Sequence, residues 1–384
     1  MTAVTPIPST RAEIRPAVPF FDLRPSHEPI KERLLEDVER IVESGMFLNG
    51  PDVAQFEDAF AAYCGAAACV GVASGLDALR LGLIAGGLRP GDEVVVPAMT
   101  FVATFEAVVQ AGGVPVPGDI SPDDLNLDVE AADAAVTPAT RFVLPVHLYG
   151  QMADMRGLRR VAERHGLKLL EDACQAHGAE RDGLRAGSAG DAAAFSFYPG
   201  KNLGAFGDAG ALVTSDLDLA ATVRALREHG QYAKYEHALK GYTSRLDTLH
   251  AAVLLTKLAL LDEWNGLRTA AANAYRELLA GVGDLELPPV PVGSRPVWHL
   301  FTVRTSRRPE LAAFLQEAGI GTGRHYPCPP HLSRAYADLG YGEGAFPVSE
   351  ALARDSLSLP LFPGISVDQV ETVCSLVEVF FARR

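Results

Sequence analysis

Phe195-Ser-Phe-Tyr-Pro-Gly-Lys-Asn-Leu-Gly-Ala-Phe-Gly-Asp-Ala-Gly210 sets one lysine, Lys201, in a bend built from Pro199, Gly200, Gly204, Gly207 and Gly210. Apolar segments flank it, Ala192–Phe197 before and Ala211–Thr214 after. Lysines usually keep their ammonium in water. Here the glycines let backbone and ligand approach closely, and the apolar flanks imply desolvation. Desolvation lowers a lysine's pKa and makes it a nucleophile towards carbonyls. A Schiff base to pyridoxal 5'-phosphate (PLP) fits that chemistry. For Lys201 alone, a plain β-hairpin that happens to carry a lysine fits equally well.

Outward from the bend, short apolar runs alternate with helical patterns. Cys69–Ala73, Gly91–Pro97, Val114–Pro117, Arg141–Val146 and Leu167–Leu170 read as strands, together with the two flanks of the bend. Helices are predicted over Glu28–Ser44, from Asp52, from Ser74 to Ala85, through Val109, and over Asp154–His165. This alternation describes an α/β fold with a mostly parallel, doubly wound sheet. Ligands of such sheets sit beyond the carboxyl ends of the strands. Ser74, Thr100, His147, Asp172 and Ser196 all hold that kind of position, so one site is expected to collect them. Beyond Asp216 the pattern reads as helical to about Ala280. Leu285–Pro296 reads as a linker. A small α+β unit follows: a strand over Val297–Arg304, a helix over Pro309–Ala318, a return strand over Gly319–Tyr326 and a last helix over Val367–Phe381. The implied organisation is a leader at 1–17, a large domain at 18–262 and a small C-terminal domain at 263–384.

A PLP site needs several parts at once. Asp172 ends an apolar strand and is the carboxylate for the pyridine nitrogen; as a buried anion it would want a cationic partner. Its plainer use is a helix N-cap. Phe101 is placed to stack on the ring, or to pack in the core. Gln175 suits the other face, or solvent. Ser74, Ser196 and the backbone of Gly75 and Leu76, at a helix N-terminus, suit the phosphate. Five such parts, in chain order and at strand ends, outweigh the separate plain readings.

The charge and cysteines narrow the class. A net charge of -14 argues against nucleic acid as the main partner. The five cysteines, Cys64, Cys69, Cys174, Cys328 and Cys374, form no C-x-x-C pair. They suit reduced thiols in a cytoplasmic protein and no metal site. No run reaches the length of a membrane span, and the N-terminus has no apolar signal core.

In combination, Val72-Ala-Ser-Gly-Leu-Asp-Ala-Leu79, Gly91-Asp-Glu-Val94, Pro97-Ala-Met-Thr-Phe101, Glu171-Asp-Ala-Cys-Gln-Ala-His-Gly178, Phe195–Asn202, Ser244-Arg-Leu-Asp247 and Arg324-His-Tyr-Pro327 resemble the DegT-type PLP-dependent nucleotide-sugar aminotransferases. That family lies within the fold-type-I, aspartate-aminotransferase-like superfamily. The resemblance runs from about Phe20 to the C-terminus. It implies a seven-stranded sheet in the large domain and Lys201 as the lysine that carries PLP. It puts Asp172 at the pyridine nitrogen, Phe101 and Gln175 around the ring, and Ser196, Gly75 and Leu76 at the phosphate. His325 and Tyr326 fall near the sugar. It also implies L-glutamate as amino donor, with Lys201 moving the proton between the donor's Cα and the cofactor's C4′, and a homodimer with the site at its interface. Family members usually carry Asn before Ser-Arg-Leu-Asp, reaching the neighbouring subunit's PLP phosphate; here Thr243 stands there, with a shorter reach. The Tyr198–Asp208 run resembles the branch that aminates C3 of dTDP-3-keto-6-deoxyhexoses. The alternatives are amination at C4, and a PLP dehydratase or aminohydroxybenzoate synthase-like reaction; sugar dehydratases of the family carry histidine in place of the lysine. A non-catalytic PLP-binding regulator would usually add a DNA-binding module, and none is visible. Such enzymes make amino sugars for antibiotics or surface glycans.

Overall fold

The computed structural model describes residues 17–383; the leader foreseen at 1–17 lies outside them except for Ala17. Seven strands build the central sheet: β1 (Ala68–Val72), β2 (Glu93–Pro97), β3 (Val114–Gly118), β4 (Thr140–Val143), β5 (Lys168–Asp172), β6 (Ala192–Ser196) and β7 (Gly210–Thr214), in the order β1-β7-β6-β5-β4-β2-β3. All neighbours are parallel except β7, which runs antiparallel to β1 and β6. The sheet is therefore mostly parallel, with helices on both faces. Val94, Val95 and Val96 have no exposed surface, as a strand covered on both faces requires.

The bend around Lys201 joins β6 to β7, which pair from Ala192↔Thr214 to Ser196↔Gly210. Hairpin and reactive bend are thus one object. Its entry is anchored by strand alternation. Phe195 and Phe197 point into the core, where both meet Phe60 edge-on at centroid distances of 5.0 and 5.3 Å. Ser196 between them points the other way and is half-buried. Burying each ring stabilises this corner by about 1.5–3 kcal/mol.

Two expectations do not hold beyond β7. The chain is not continuously helical after Asp216. A helix over Leu217–Arg227 gives way to a small hairpin, Gln231–Ala233 with Glu236–His237, before helices over Thr248–Leu258 and Leu261–Leu278. Gly230 explains the break: its φ is +75°, and a Cβ there would stand 1.9 Å from the Leu239 carbonyl oxygen. The strand paired with Phe301–Arg304 is Ser356–Leu359, antiparallel, and not the segment 319–326. Among the described residues that segment makes only single bridges, Val18↔Ile320 and Gly323↔Ser358. The serines of Ser356-Leu-Ser-Leu359 disguised a fully buried strand; Ser358 meets Thr302 across the pair, hydroxyl to hydroxyl at 2.9 Å. Around it lies a separate apolar core that includes Tyr275, Phe301, Leu315, Leu357 and Val377. A helix over Pro347–Asp355 precedes the unforeseen strand, and the last helix covers Val367–Ala382. No helix among the described residues is long and apolar enough to cross a membrane.

Candidate active site

The carboxyl ends of β1, β2, β5 and β6 open onto a cavity of about 510 Å³. Ser74, Gly75, Leu76, Thr100, Phe101, Asp172, Gln175, Ser196 and Lys201 all line it, and His325 and Tyr326 join them from the C-terminal part of the chain. The loops that follow parallel strands converge here because the strands themselves run the same way.

Gly75 and Leu76 open the helix over Gly75–Ala85, where the first amides have no intrahelical acceptor. Ser74 caps the helix by accepting from the Asp77 amide at 3.1 Å, which leaves its own O–H free to donate outward. A Cβ at Gly75 would sit 2.6 Å from the Ser196 Cβ and 2.7 Å from the Cys174 Sγ. Only glycine lets the helix start press against the end of β6. The result is a cradle of amides and hydroxyls beside a positive helix end, suited to a phosphate.

Asp172 is buried at the end of β5. Its Oδ2 accepts from the Thr104 hydroxyl at 2.8 Å and its Oδ1 from the Cys174 amide at 3.2 Å. With its proton committed to Asp172, Thr104 accepts from Thr100, hydroxyl to hydroxyl at 2.8 Å. Among the described residues no arginine, lysine or histidine pairs directly with Asp172, and it faces the cavity with lone pairs to spare. A ligand carrying a cationic ring N–H would supply the missing partner.

Lys201 is held by its backbone, whose amide donates to the Tyr198 carbonyl at 2.8 Å. Burial pulls its amine below the ordinary lysine pKa of 10.5, and the fields of Cys174 and Asp172 work against that pull. Gln175 is fixed at both ends: its Oε1 accepts from the Tyr149 amide at 2.7 Å, and its Nε2 donates to the Tyr326 hydroxyl at 3.0 Å. Tyr326 leans on Phe101, centroids 5.3 Å apart. The Tyr149 hydroxyl donates to the His325 carbonyl. The His325 ring stacks on Phe20 at 5.5 Å and lies 2.9 Å from the Ser358 hydroxyl. Burial, with Lys201 adding to it, holds His325 at about 4 and hence neutral.

Two candidates lie elsewhere. His147 does not reach the cavity. It is wholly buried; its Nδ1 accepts from the Ala153 amide at 3.2 Å, so its Nε2 donates to Glu171 at 2.8 Å. Glu171 in turn accepts from the amides of Gly187, Ala189 and Gly190. The pair braces the sheet from beneath. Thr243 is exposed, beside His229 at 3.4 Å, and does not line this chain's cavity.

Several lining residues carried no sequence signal strong enough to select them: Phe20, Phe21, Cys174, Tyr198 and His299. His299 shows what was missed. The Asn202 amide donates to Asn265 Oδ1 and to the Val297 carbonyl, both at 2.8 Å. Its oxygen must therefore accept from His299 Nδ1 at 3.3 Å. That sets the His299 tautomer and leaves Nε2 as an acceptor, in a ring that burial keeps well below its usual pKa.

Known proteins match both chain and fold. The DegT/DnrJ/EryC1/StrS aminotransferase family matches residues 28–378. A dTDP-3-amino-3,4,6-trideoxy-alpha-D-glucose transaminase of Streptomyces venezuelae is 49% identical over 98% of this chain and 99% of its own. The crystal structure of S. venezuelae DesV with a ketimine intermediate superposes at a TM-score of 0.94, with 49% identity over 96% of this chain and all of that one. The structure of NtdA from Bacillus subtilis with bound pyridoxamine phosphate superposes at 0.90, with 32% identity over 97% of this chain and 87% of that one. An amide-lined cradle, an unpaired buried carboxylate and a desolvated lysine around one cavity are parts that PLP fits. The chain belongs to the DegT/DnrJ/EryC1/StrS aminotransferase family and is a PLP-dependent sugar aminotransferase.

Proposed function

We propose that the enzyme moves the amino group of L-glutamate to C3 of a dTDP-linked 3-keto-6-deoxyhexose, in the cytoplasm, for an antibiotic or glycan sugar. What carries the reading is the presence of Lys201 and Asp172 on the walls of a single cavity. Bound PLP supplies an electron sink that weakens the Cα–H bond of the donor. Lys201 would hold the cofactor at rest, and its freed Nζ would carry the proton from the donor's Cα to the cofactor's C4′. Its lowered pKa leaves more of the free amine at working pH. Asp172, steadied by Thr104 and the Cys174 amide, keeps the pyridine nitrogen protonated. The amides of Gly75 and Leu76, with the hydroxyls of Ser74 and Ser196, would hold the phosphate. Phe101 and Gln175, both on the cavity wall, would bracket the ring. His325 and Tyr326 stand where the sugar enters, and Phe20 and Phe21 help keep water out.

Residues 18–262 form the large PLP-binding domain and 263–384 the small one in this reading. The working unit is a homodimer with the site at its interface. Its support is an apolar face left bare on one chain: Leu35, Val38 and Val42 at helical spacing on Lys31–Ser44, running into Met46, Phe47 and Leu48. Thr243, exposed and outside its own cavity, holds the position from which the family's Asn reaches the partner's phosphate, with a shorter side chain.

Position 3 is supported by the name of the S. venezuelae relative. A panel of dTDP-3-keto and dTDP-4-keto sugars, followed by mass spectrometry, tests it. Mass gain confined to the 3-keto members is expected; amination of the 4-keto members alone refutes the assignment. Glutamate added to the purified enzyme should convert the cofactor absorbance to the pyridoxamine form and release 2-oxoglutarate.

A further inference from the structure

Lys257 lies on the helix over Thr248–Leu258 and is 2% exposed. No carboxylate among the described residues lies within ion-pair distance of it. Its ammonium instead donates to the carbonyl of Gly204, in the Lys201 bend, and to His27 Nε2 at 3.1 Å. The faces of Phe206 and Trp264 complete the surroundings, with centroids 5.7 and 5.8 Å away. Phe206 belongs to the same bend, and its ring also meets His27 edge-on at 5.1 Å.

An isolated buried ammonium is costly, and a methionine of similar length would fill the space without that cost. What the lysine adds is two directed bonds to two separate pieces of chain. One is the bend three residues beyond Lys201. The other is the N-terminal segment, which reaches across the molecule. There Val18 pairs with Ile320, Phe20 stacks on His325, and Phe20 and Phe21 wall the cavity. His27 accepts as the neutral ring; burial and the adjacent ammonium hold it at about 4.

We propose that Lys257 is a positioning residue: by bonding Gly204 and His27 together it sets the bend that carries Lys201 and latches the N-terminal wall of the cavity to that bend. The assignment rests on Lys201 as the cofactor lysine. It does not depend on which sugar is aminated.

Three variants of the full-length enzyme test it: Lys257→Met, Lys257→Gln and His27→Leu. Each is followed by the PLP dissociation constant, by the pH titration of the cofactor absorbance, and by kcat and KM separately. Lys257→Met should weaken PLP binding and lower kcat by about tenfold or more, the scale of losing a charge-assisted hydrogen bond. Its absorbance titration should shift. Lys257→Gln, which keeps one donor for Gly204, should fall between. His27→Leu should leave kcat within about threefold while KM for the keto-sugar rises by more, because only the wall is released. Parental PLP affinity, titration and kcat in a folded Lys257 variant would overturn the proposal, whatever its melting temperature. If neither Lys257 variant folds, an unchanged KM in His27→Leu overturns the latch. Absence of cofactor absorbance from the parent enzyme itself would strike at Lys201 instead.

Discussion

Asp172→Asn separates charge from shape at the heart of the site. The carboxylate accepts from one donor that can turn and one that cannot: the Thr104 hydroxyl and the Cys174 amide. An asparagine would keep its oxygen on the Cys174 N–H and turn its NH₂ towards Thr104. That hydroxyl can rotate to accept, donating instead to the Thr100 hydroxyl 2.8 Å away. The packing and the bond count survive, so the stability change should stay near 1 kcal/mol or below. The charge proposed to face the pyridine nitrogen does not survive. Removing one partner of a buried charge pair costs about 3–5 kcal/mol, roughly 10²- to 10⁴-fold in rate. The assay is the single-turnover reaction with glutamate, read by the loss of the cofactor's visible absorbance, beside thermal melting of the same protein. A variant that melts like the parent and reacts within tenfold of it would show that Asp172 does not hold the ring nitrogen.

Other perturbations follow from the same geometry. Lys201→Ala should abolish the cofactor's imine absorbance and all turnover; retained turnover would mean another amine does the work. Gly75→Ala puts a methyl 2.6 Å from the Ser196 Cβ and 3.1 Å from its Cα, which must push the helix start off β6. PLP affinity should drop by about tenfold, the scale of overpacking at a tight contact, and equilibrium binding to the apoenzyme measures it. Burial lowers Lys257 to about 8 from an unfolded value of 10.5. The folded state therefore binds that proton less tightly, and the penalty is fully present below pH 8 and fades as pH rises to 10.5. Urea unfolding of the apoenzyme should show the parent gaining about 3 kcal/mol relative to Lys257→Met across that window. A gap between the two proteins that stays constant with pH would show that Lys257 titrates normally.

The local patterns were legible because they depend only on neighbours along the chain. Strand alternation at Phe195-Ser196-Phe197 assigns the phenylalanines to one face and the serine to the other. The helix start at Ser74, the apolar run of Gly91–Pro97 and the polar residues after strand ends locate the cavity from local sequence alone. The run that ends in Lys201 announced an amine out of water. Where glycines such as Gly230 turned the chain back, or serines lined a buried strand at 356–359, composition misled.

What remained hidden were partners chosen by packing. His147 and Asp172 look alike as polar residues at strand ends, yet one lies beneath the sheet against Glu171 and the other faces the cavity. Thr104 meets Asp172 across 68 residues of chain, and Lys257 meets His27 across 230. Residue types and their spacing determined the class of fold and the chemistry it can host. Which polar group faces ligand and which is spent on the scaffold was decided only when distant segments met, because a hydrogen bond depends on separation in space and is blind to separation in sequence.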